Sequence, residues 1–230
     1  MAAHPEDACE RQARSVHMRW SYRLCRAIVR AAYVLWACGR VYGTDHVPRT
    51  GGVVLACNHQ SFLDPMLATL ALPRECSYMA RDTLFRNPVF RRVIELFNAF
   101  PVRRGESDVA AMRASLQRLA DGALITAFPE GTRTADGRVR PCRPGVVVLA
   151  RKAKVPLVPV AIEGAFEAWP RHRRFPGRAN ILVEYGRPLS PRELAAAGRD
   201  ESAKRLTAEI RTIHNRLRRR AGKPPFIYGD

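Results

Sequence analysis

The stretch GGVVLACNHQSFLDP, residues 51–65, decides how this 230-residue chain folds. After two glycines, its apolar run predicts a short strand that ends at Asn58 and His59. Asp64 and Pro65 then have the order of a helix N-cap followed by the first helical position. In an unbroken helix the side chains of His59 and Asp64 would point about 140° apart, so a strand-loop-helix arrangement is what lets them meet.

The rest of the chain alternates between strand and helix patterns. Strands are predicted in RVYGTDHVP (40–48), FNAFPVRRG (97–105), ALITAF (123–128), VPLVPVAI (155–162) and ANILVEYG (179–186). The two prolines of VPLVPVAI indicate a strand near a sheet edge or in an irregular position. Helices are predicted in PMLATLAL (65–72), SDVAAMRASLQRLADG (107–122), PGVVVLARKA (144–153) and from the capping box SPRE at residue 190 towards the C-terminus.

This alternation predicts an α/β fold for residues 41–230, as a single domain with a mixed, mostly parallel sheet flanked by helices. The content of 47% hydrophobic residues lets a chain of this length bury a substantial core, which excludes a disordered tail protein. Six cysteines occur without a C-x-x-C pair or a histidine at zinc-ligand spacing. We therefore predict neither a metal site nor a disulfide framework, and no prosthetic group.

The charge of the chain is strongly positive, with a formal net charge of +18 and a pI near 10.9. Nucleic acid, an anionic membrane surface and phosphorylated substrates are the partners that such a charge suits. Only four of the 39 basic residues are lysine. The arginine excess fits bidentate phosphate contacts, but genomic base composition explains it equally well.

Residues 1–40 are predicted to form a separate basic, amphipathic helical segment. Residues 11–40 contain seven arginines and no acidic residue. A stripe at helical spacing consists of Arg19, Arg23, Arg26 and Arg30, and the stripe beside it consists of Trp20, Leu24, Ile28, Ala31 and Leu35. This pattern favours a helix in the interface of an anionic membrane, and a core-packed helix with a solvated arginine face is the alternative.

No apolar run is long enough to span a bilayer, and the polar, acidic start MAAHPEDACE argues against a secretory signal. The sequence therefore predicts a peripheral membrane protein on the cytoplasmic face.

Polar residues follow three of the predicted strands, as NH, VRR and PEGTR. Ligands of open α/β sheets gather outside the carboxyl ends of the strands, so these residues are the candidate site. Histidine is suited to take a proton from a hydroxyl at neutral pH, and Asp64 can orient His59. The chain lacks a G-x-S-x-G elbow and Cys57 lies on an apolar strand, which favours direct attack by a substrate hydroxyl over a covalent acyl-enzyme.

The basic and acidic residues at the same strand ends suit a phosphorylated substrate. Arg104 and Arg133 can make bidentate phosphate contacts, and Gly131 lets backbone approach a ligand closely. For Glu130 we expect either a hydrogen bond from a substrate hydroxyl or a contact that holds an arginine.

In order and spacing, NHQSFLD, AFPVRR, FPEGTR and VPLVPV resemble the four motif blocks of the glycerolipid acyltransferases, especially the 1-acylglycerol-3-phosphate acyltransferases. The resemblance covers about residues 40–190 and implies that His59 is the general base and Asp64 its orienting partner. It implies that the acyl-binding side is shaped by Pro156 and Pro159. The predicted substrate-binding residues are Asn58, Arg103, Arg104, Glu130, Gly131, Thr132 and Arg133.

Three positions depart from the common pattern of that family. Asn98 stands where glycine is frequent, Thr134 where serine is usual, and Arg103 adds a second cation beside Arg104. Asparagine tolerates a left-handed backbone, so the first change is mild. The added arginine leaves the identity of the acceptor headgroup open.

The resemblance implies transfer of a fatty acyl group from acyl-CoA or acyl carrier protein to the free hydroxyl of a lysophospholipid. The predicted acceptor is 1-acylglycerol-3-phosphate, which gives phosphatidic acid. Two alternatives stay open. One is acylation of another lyso-lipid, and the other is a basic nucleic-acid-binding module, although the chain carries no recognised signature of that class.

Overall fold

The computed structural model describes residues 39–102 and 109–229, together with Ala27 and Ala31. The strands of these residues form a seven-stranded sheet in the order β1-β7-β6-β2-β5-β3-β4. Their bounds are β1 Arg40–Tyr42, β2 Val53–Cys57, β3 Cys76–Arg81, β4 Ala99–Val102, β5 Leu124–Ala127, β6 Leu157–Glu163 and β7 Leu182–Tyr185.

The sheet is mixed and mostly parallel, as the sequence predicts. The strands β6, β2, β5, β3 and β4 run in one direction. The strand β7 is antiparallel to β6, and β1 is parallel to β7. The carboxyl ends of β2, β5 and β6 therefore meet at one edge, because these three strands are neighbours and parallel.

Helices cover both faces of the sheet. Among the described residues they are α1 Asp64–Leu67, α2 Pro88–Leu96, α3 Val109–Ala120, α4 Gly145–Ala153, α5 Ala165–Ala168 and α6 Pro191–Arg220, which is kinked at Gly198. One core cluster joins α3, α4 and α6 to alternate residues of β2 such as Val54 and Ala56. The other cluster joins α1 and α5 to the residues between them, such as Val53 and Leu55. β2 is apolar at every position because its residues are buried alternately in these two clusters.

The strand β6, which contains Pro159 and directly follows Pro156, differs from its prediction. We expected an edge or irregular strand, but β6 lies inside the sheet between β2 and β7. The carbonyl of Pro159 accepts a hydrogen bond from the amide of Gly186, so its backbone polar groups face the β7 side. The pairing with β7 begins one residue later, at Val160. The missing N–H of Pro159 therefore removes no bond from the ladder with β2.

The helix after His59 also differs from its prediction. The α1 helix is a single turn that begins at Asp64 itself, and its N-cap residue is Leu63. Asp64 is therefore not the cap of that helix, and its carboxylate turns back towards the loop that precedes it. Neither β3 nor α2 was predicted, although β3 lies between β5 and β4 in the sheet.

The predicted interfacial stripes of residues 11–38 lie outside the described residues, apart from Ala31. Among the residues that the structure describes, no helix combines the length and apolar character needed to cross a membrane.

Candidate active site

Asn58, the first residue after β2, fixes the position of His59. The side-chain N–H of Asn58 donates to the backbone carbonyl of Ile162 at 2.9 Å, and the side-chain oxygen of Asn58 accepts from the backbone amide of Ile162 at 2.8 Å. Asn58 is buried and in this way extends the pairing of β2 with β6 beyond the strand. We assigned Asn58 to substrate binding from the sequence, but these contacts suit a residue that positions His59 from behind.

His59 and Asp64 meet as the sequence predicts. The Nδ1 atom of His59 lies 2.8 Å from Oδ2 of Asp64. The same oxygen accepts the backbone amides of Gln60 at 2.6 Å and Ser61 at 2.7 Å, which holds the loop in a tight turn. Because a carboxylate oxygen only accepts, Nδ1 carries the ring proton. The lone pair of His59 is therefore on Nε2, to which no described residue hydrogen-bonds.

The imidazole of His59 is packed but accessible. Its ring stacks on Phe128, with centroids 4.1 Å apart and planes 23° from parallel. The His59 side chain is 13% exposed, whereas that of Asp64 is 0% exposed. A ring held on one face and at Nδ1, with Nε2 open, has the arrangement of a general base that is positioned before substrate arrives.

Glu130, three residues after the end of β5, holds the loop that follows β2 through hydrogen bonds to backbone amides. One carboxylate oxygen accepts the amide of His59 at 2.8 Å, and the other accepts the amide of Arg140 at 3.1 Å. Burial raises the pKa of Glu130 to about 7, although the two amide hydrogen bonds act in the opposite direction. Both oxygens are thus engaged by the backbone, which favours a positioning role over the contact with a substrate hydroxyl or an arginine that we expected.

The PEGTR segment, residues 129–133, lies against the loop of residues 58–63 between β2 and α1, which we call the catalytic loop. The amide of Thr134 donates to the carbonyl of His59 at 2.8 Å. Gly131 adopts φ +76, and an added Cβ there would lie 3.1 Å from the guanidinium carbon of Arg143. A side chain at position 131 would therefore be strained and crowded. Arg133 places its guanidinium 3.5 Å from the ring centroid of Phe62, three residues after His59.

A second buried histidine, which sequence reasoning missed, lies behind the loop. The Nε2 atom of His214 on α6 is 2.7 Å from Oε2 of Glu163 and 3.1 Å from Nε2 of Gln60. The Gln60 side chain also donates to the carbonyl of Gly137 at 2.9 Å. The signal in the sequence is that His214 lies beside Ile213 and one turn after Ile210, on the apolar stripe of its helix.

The structure thus brings together His59, Asp64, Glu130 and Arg133 at the carboxyl ends of β2 and β5. Thr132 is half-buried in the same loop. Arg103 and Arg104 lie outside the described residues, so their contact with phosphate stays a prediction. Pro159 lies on β6 and Pro156 directly precedes it, and their acyl-side role also stays a prediction. No group of three or more described His, Cys, Asp or Glu side chains is arranged to hold a metal ion.

The chain matches the family model described as Acyltransferase over residues 39–163, more than half of its length. This chain therefore belongs to the acyltransferase family. It is 28% identical over 198 residues to a 1-acyl-sn-glycerol-3-phosphate acyltransferase of Bacillus subtilis, which covers 86% of this chain and 95% of that protein.

One further relative and one solved structure are also similar to this chain. The identity is 30% over 147 residues to a chloroplastic 1-acyl-sn-glycerol-3-phosphate acyltransferase of Brassica napus, across 59% of this chain and 42% of that protein. The crystal structure of the LPA acyltransferase PlsC from Thermotoga maritima superposes with a TM-score of 0.73 at 22% identity. That match covers 93% of this chain and 89% of the other, and it confirms the α/β fold.

Proposed function

We propose that this acyltransferase transfers a fatty acyl group from an acyl thioester to the free hydroxyl of 1-acylglycerol-3-phosphate, giving phosphatidic acid. The observation that carries the proposal is the His59–Asp64 pair, which is held by hydrogen bonds from the backbone of His59 to Glu130 and Thr134. The names of the relatives from Bacillus subtilis and Brassica napus support the same acceptor. The acyl donor is acyl-CoA or acyl carrier protein.

In the proposed reaction, His59 Nε2 takes the proton of the acceptor hydroxyl as its oxygen attacks the thioester carbonyl carbon. The tetrahedral intermediate then collapses and the C–S bond breaks. The imidazolium gives its proton to the leaving sulfur, so the donor departs as a thiol and His59 returns to its neutral form. Asp64 holds the ring in the required tautomer and stabilises its positive charge while the proton resides there. The reaction needs no enzymic nucleophile, since the acceptor oxygen forms the new ester directly.

The arginines at the strand ends bind the acceptor phosphate in this proposal, and Arg133 is the one whose position the structure describes. A guanidinium fixed over Phe62 can approach a phosphate near His59 without leaving the ring. Such an anchor keeps the hydroxyl within attack distance of the donor, which is the main way that positioning lowers a barrier.

The proposed setting of the reaction is the anionic, cytoplasmic face of a membrane, where the enzyme binds peripherally. The formal net charge of +18 supports this setting because anionic lipids attract basic surfaces. The acceptor is itself an amphiphile that resides in membranes.

The test is thiol release from palmitoyl-CoA with 1-acylglycerol-3-phosphate, with monoacylglycerol, and with no acceptor. We expect release that depends on the phosphorylated acceptor. Arg133→Ala should raise the KM for that acceptor by about tenfold to 100-fold, the range for a hydrogen bond to a charged group, with a smaller change in kcat.

Monoacylglycerol, which has no phosphate, serves as the control because Arg133→Ala should not change its rate. Equal wild-type rates with both acceptors would contradict the proposed acceptor. Release without any acceptor would identify a thioesterase.

A further inference from the structure

A strongly basic loop joins α5 to β7 beside the catalytic loop. We call residues 169–178, WPRHRRFPGR, the basic loop; it contains four arginines and one histidine. No acidic residue occurs between Glu167 and Glu184. The charge of the basic loop is therefore not balanced by its own sequence.

Direct contacts join the basic loop to the catalytic loop. The hydroxyl of Ser61 donates to the carbonyl of Trp169 at 2.8 Å. The rings of Phe62 and Trp169 lie 5.2 Å apart between centroids. Ser61 and Phe62 follow His59 by two and three residues, so the basic loop begins at the border of the candidate active site.

Internal hydrogen bonds give the basic loop a defined shape. The indole N–H of Trp169 donates to the carbonyl of Arg173 at 3.1 Å. The guanidinium of Arg173 donates to the carbonyl of Glu167 at 3.1 Å, and the amide of Gly177 donates to the carbonyl of Ala168 at 2.7 Å. Arg173 is thus used to brace the loop from within, close to its two ends.

The other three arginines of the basic loop take no part in these internal hydrogen bonds. Arg171, Arg174 and Arg178 are exposed, and none forms an ion pair with a carboxylate of the described residues. Three cations held on a braced loop without counter-charges fit an anionic partner.

Exposed aromatic rings accompany these cations. Phe175 at the tip of the basic loop is 70% exposed, and Phe62 next to its first residue is 50% exposed. The guanidinium carbon of Arg133 lies 3.5 Å from the centroid of the Phe62 ring and that of Arg174 lies 5.6 Å from the centroid of the Phe175 ring, so each exposed ring is accompanied by a cation. Arginines interleaved with exposed aromatic rings are typical of surfaces that lie in the headgroup region of an anionic bilayer.

We propose that the basic loop, together with Phe62, docks the enzyme on an anionic membrane surface. Arg171, Arg174 and Arg178 contact lipid headgroups, while Phe175 and Phe62 enter the boundary with the acyl chains. This inference rests on the proposed function, whose acceptor resides in that surface. Docking through the basic loop places the border of the His59 site against the bilayer, so the acceptor reaches His59 without crossing water.

An acidic carrier protein is the rival occupant, since it would also seek arginines. The two exposed phenylalanines favour the membrane because an acidic protein surface does not cover apolar rings as a bilayer boundary does. The experiment below separates the two partners.

The experiment uses the full-length chain and the triple variant Arg171→Ala/Arg174→Ala/Arg178→Ala. The matched control is Arg49→Ala/Arg187→Ala/Arg192→Ala, which removes the same charge. These control arginines are exposed and lie near the start of β2, after β7 and at the start of α6, at the opposite edge of the sheet. Binding is measured by co-sedimentation with vesicles of phosphatidylcholine, with and without phosphatidylglycerol.

We expect the loop variant to bind the anionic vesicles about tenfold to 100-fold more weakly than wild type, as three lost surface contacts predict. The control variant should lose much less, and Phe175→Ala should weaken binding to both vesicle types by a smaller factor. Equal losses in the loop and control variants would overturn the proposal, because only total charge would then matter. Unchanged vesicle binding with lost binding to acyl carrier protein would overturn it in favour of the rival.

Activity supplies a second readout. The loop variant should show reduced kcat/KM towards acceptor embedded in anionic vesicles and wild-type kcat/KM towards a short-chain, water-soluble acceptor. An equal loss on both acceptors would overturn the docking role. Vesicle binding is measured without acyl donor, so a wild-type enzyme that acylates no acceptor would refute the proposed function and leave the binding result interpretable.

Discussion

Two histidine–carboxylate pairs lie within the same fold, and they differ in access to solvent. The His59–Asp64 pair spans 2.8 Å and leaves the imidazole 13% exposed. The His214–Glu163 pair spans 2.7 Å and is closed, with the histidine 0% exposed. The two contacts are alike in distance and differ in burial, since of these two histidines only His59 is exposed to solvent.

Their neighbours explain the contrast. His59 follows a strand end, where the chain leaves the sheet and one side of the ring stays open. His214 lies inside α6, with Gln60 on one side and the ring of Phe226 stacked 5.8 Å away. Its partner Glu163 also receives Lys223 at 2.7 Å from the chain after α6. A buried carboxylate surrounded by cations holds elements together and has no route to a reactant.

Gln60 links the two pairs. The backbone amide of Gln60 donates to Asp64, and the side chain of Gln60 contacts both His214 and the carbonyl of Gly137. The closed pair is therefore hydrogen-bonded, through Gln60, to the loop that contains the open pair. Variants of both pairs and of Glu130 test this comparison.

The largest effect is expected for His59→Ala. Loss of a general base lowers kcat about 10²- to 10⁴-fold. The free energy of unfolding should also fall by about 1–3 kcal/mol, because the buried carboxylate of Asp64 loses its hydrogen bond from Nδ1. Thiol release from palmitoyl-CoA with 1-acylglycerol-3-phosphate measures the rate, and urea unfolding measures the stability. Full activity in a folded His59→Ala enzyme would refute the role of the open pair.

The next effect is expected for Glu163→Gln in the closed pair. Removing this charge leaves Lys223 and Arg218 beside a buried amide, which should lower the free energy of unfolding by about 3 kcal/mol. Glu167→Gln is the matched control, since Glu167 binds the same lysine at the surface and should cost about 1 kcal/mol or less. Equal costs for the two variants would show that burial does not distinguish them.

The free energy of unfolding, measured at acid pH, tests the charge of Glu163. Burial alone would raise its pKa, but the hydrogen bonds from His214 and Lys223 outweigh burial and hold the pKa at about 2, below the ordinary value of 4.5. The stabilisation from this lowered pKa is present above about pH 4.5 and is lost as the pH falls towards about 2. Glu163→Gln should remove that part of the acid-induced loss.

The smallest effect is expected for Glu130→Gln, behind the open pair. The pKa of Glu130 is raised to about 7, so its contribution to stability is complete below its ordinary value of 4.5 and is lost as the pH rises through 7. Wild type should therefore lose on the order of 1–3 kcal/mol relative to Glu130→Gln between pH 4 and pH 8. Urea unfolding across that range measures it, with the exposed Glu209→Gln as control. A constant difference between wild type and variant would contradict the raised pKa.

Individual residues show how far the sequence predicts the site. His59 and Asp64 were found because a strand pattern, a turn and a proline constrain a few neighbouring residues. The cap role of Asp64 was wrong, since its carboxylate satisfies the amides of Gln60 and Ser61 before the helix instead of amides inside it. The strand with Pro159 was wrongly placed near an edge. Whether the position of the missing N–H of Pro159 faces β2 or β7 depends on how β6 pairs with β7, which the sequence does not show.

The alternation of strands and helices and the polar strand ends could be predicted from the sequence, because they depend on periodicity and turn chemistry within a few residues, and the acyltransferase motifs were found by their resemblance to a known family. Three contacts could not be predicted in this way: Glu130 accepts the amide of His59, His214 contacts Gln60, and the basic loop borders the site. Those contacts join residues 71 and 154 positions apart in the first two cases. Such partners are chosen by strand order and packing, which no local pattern encodes.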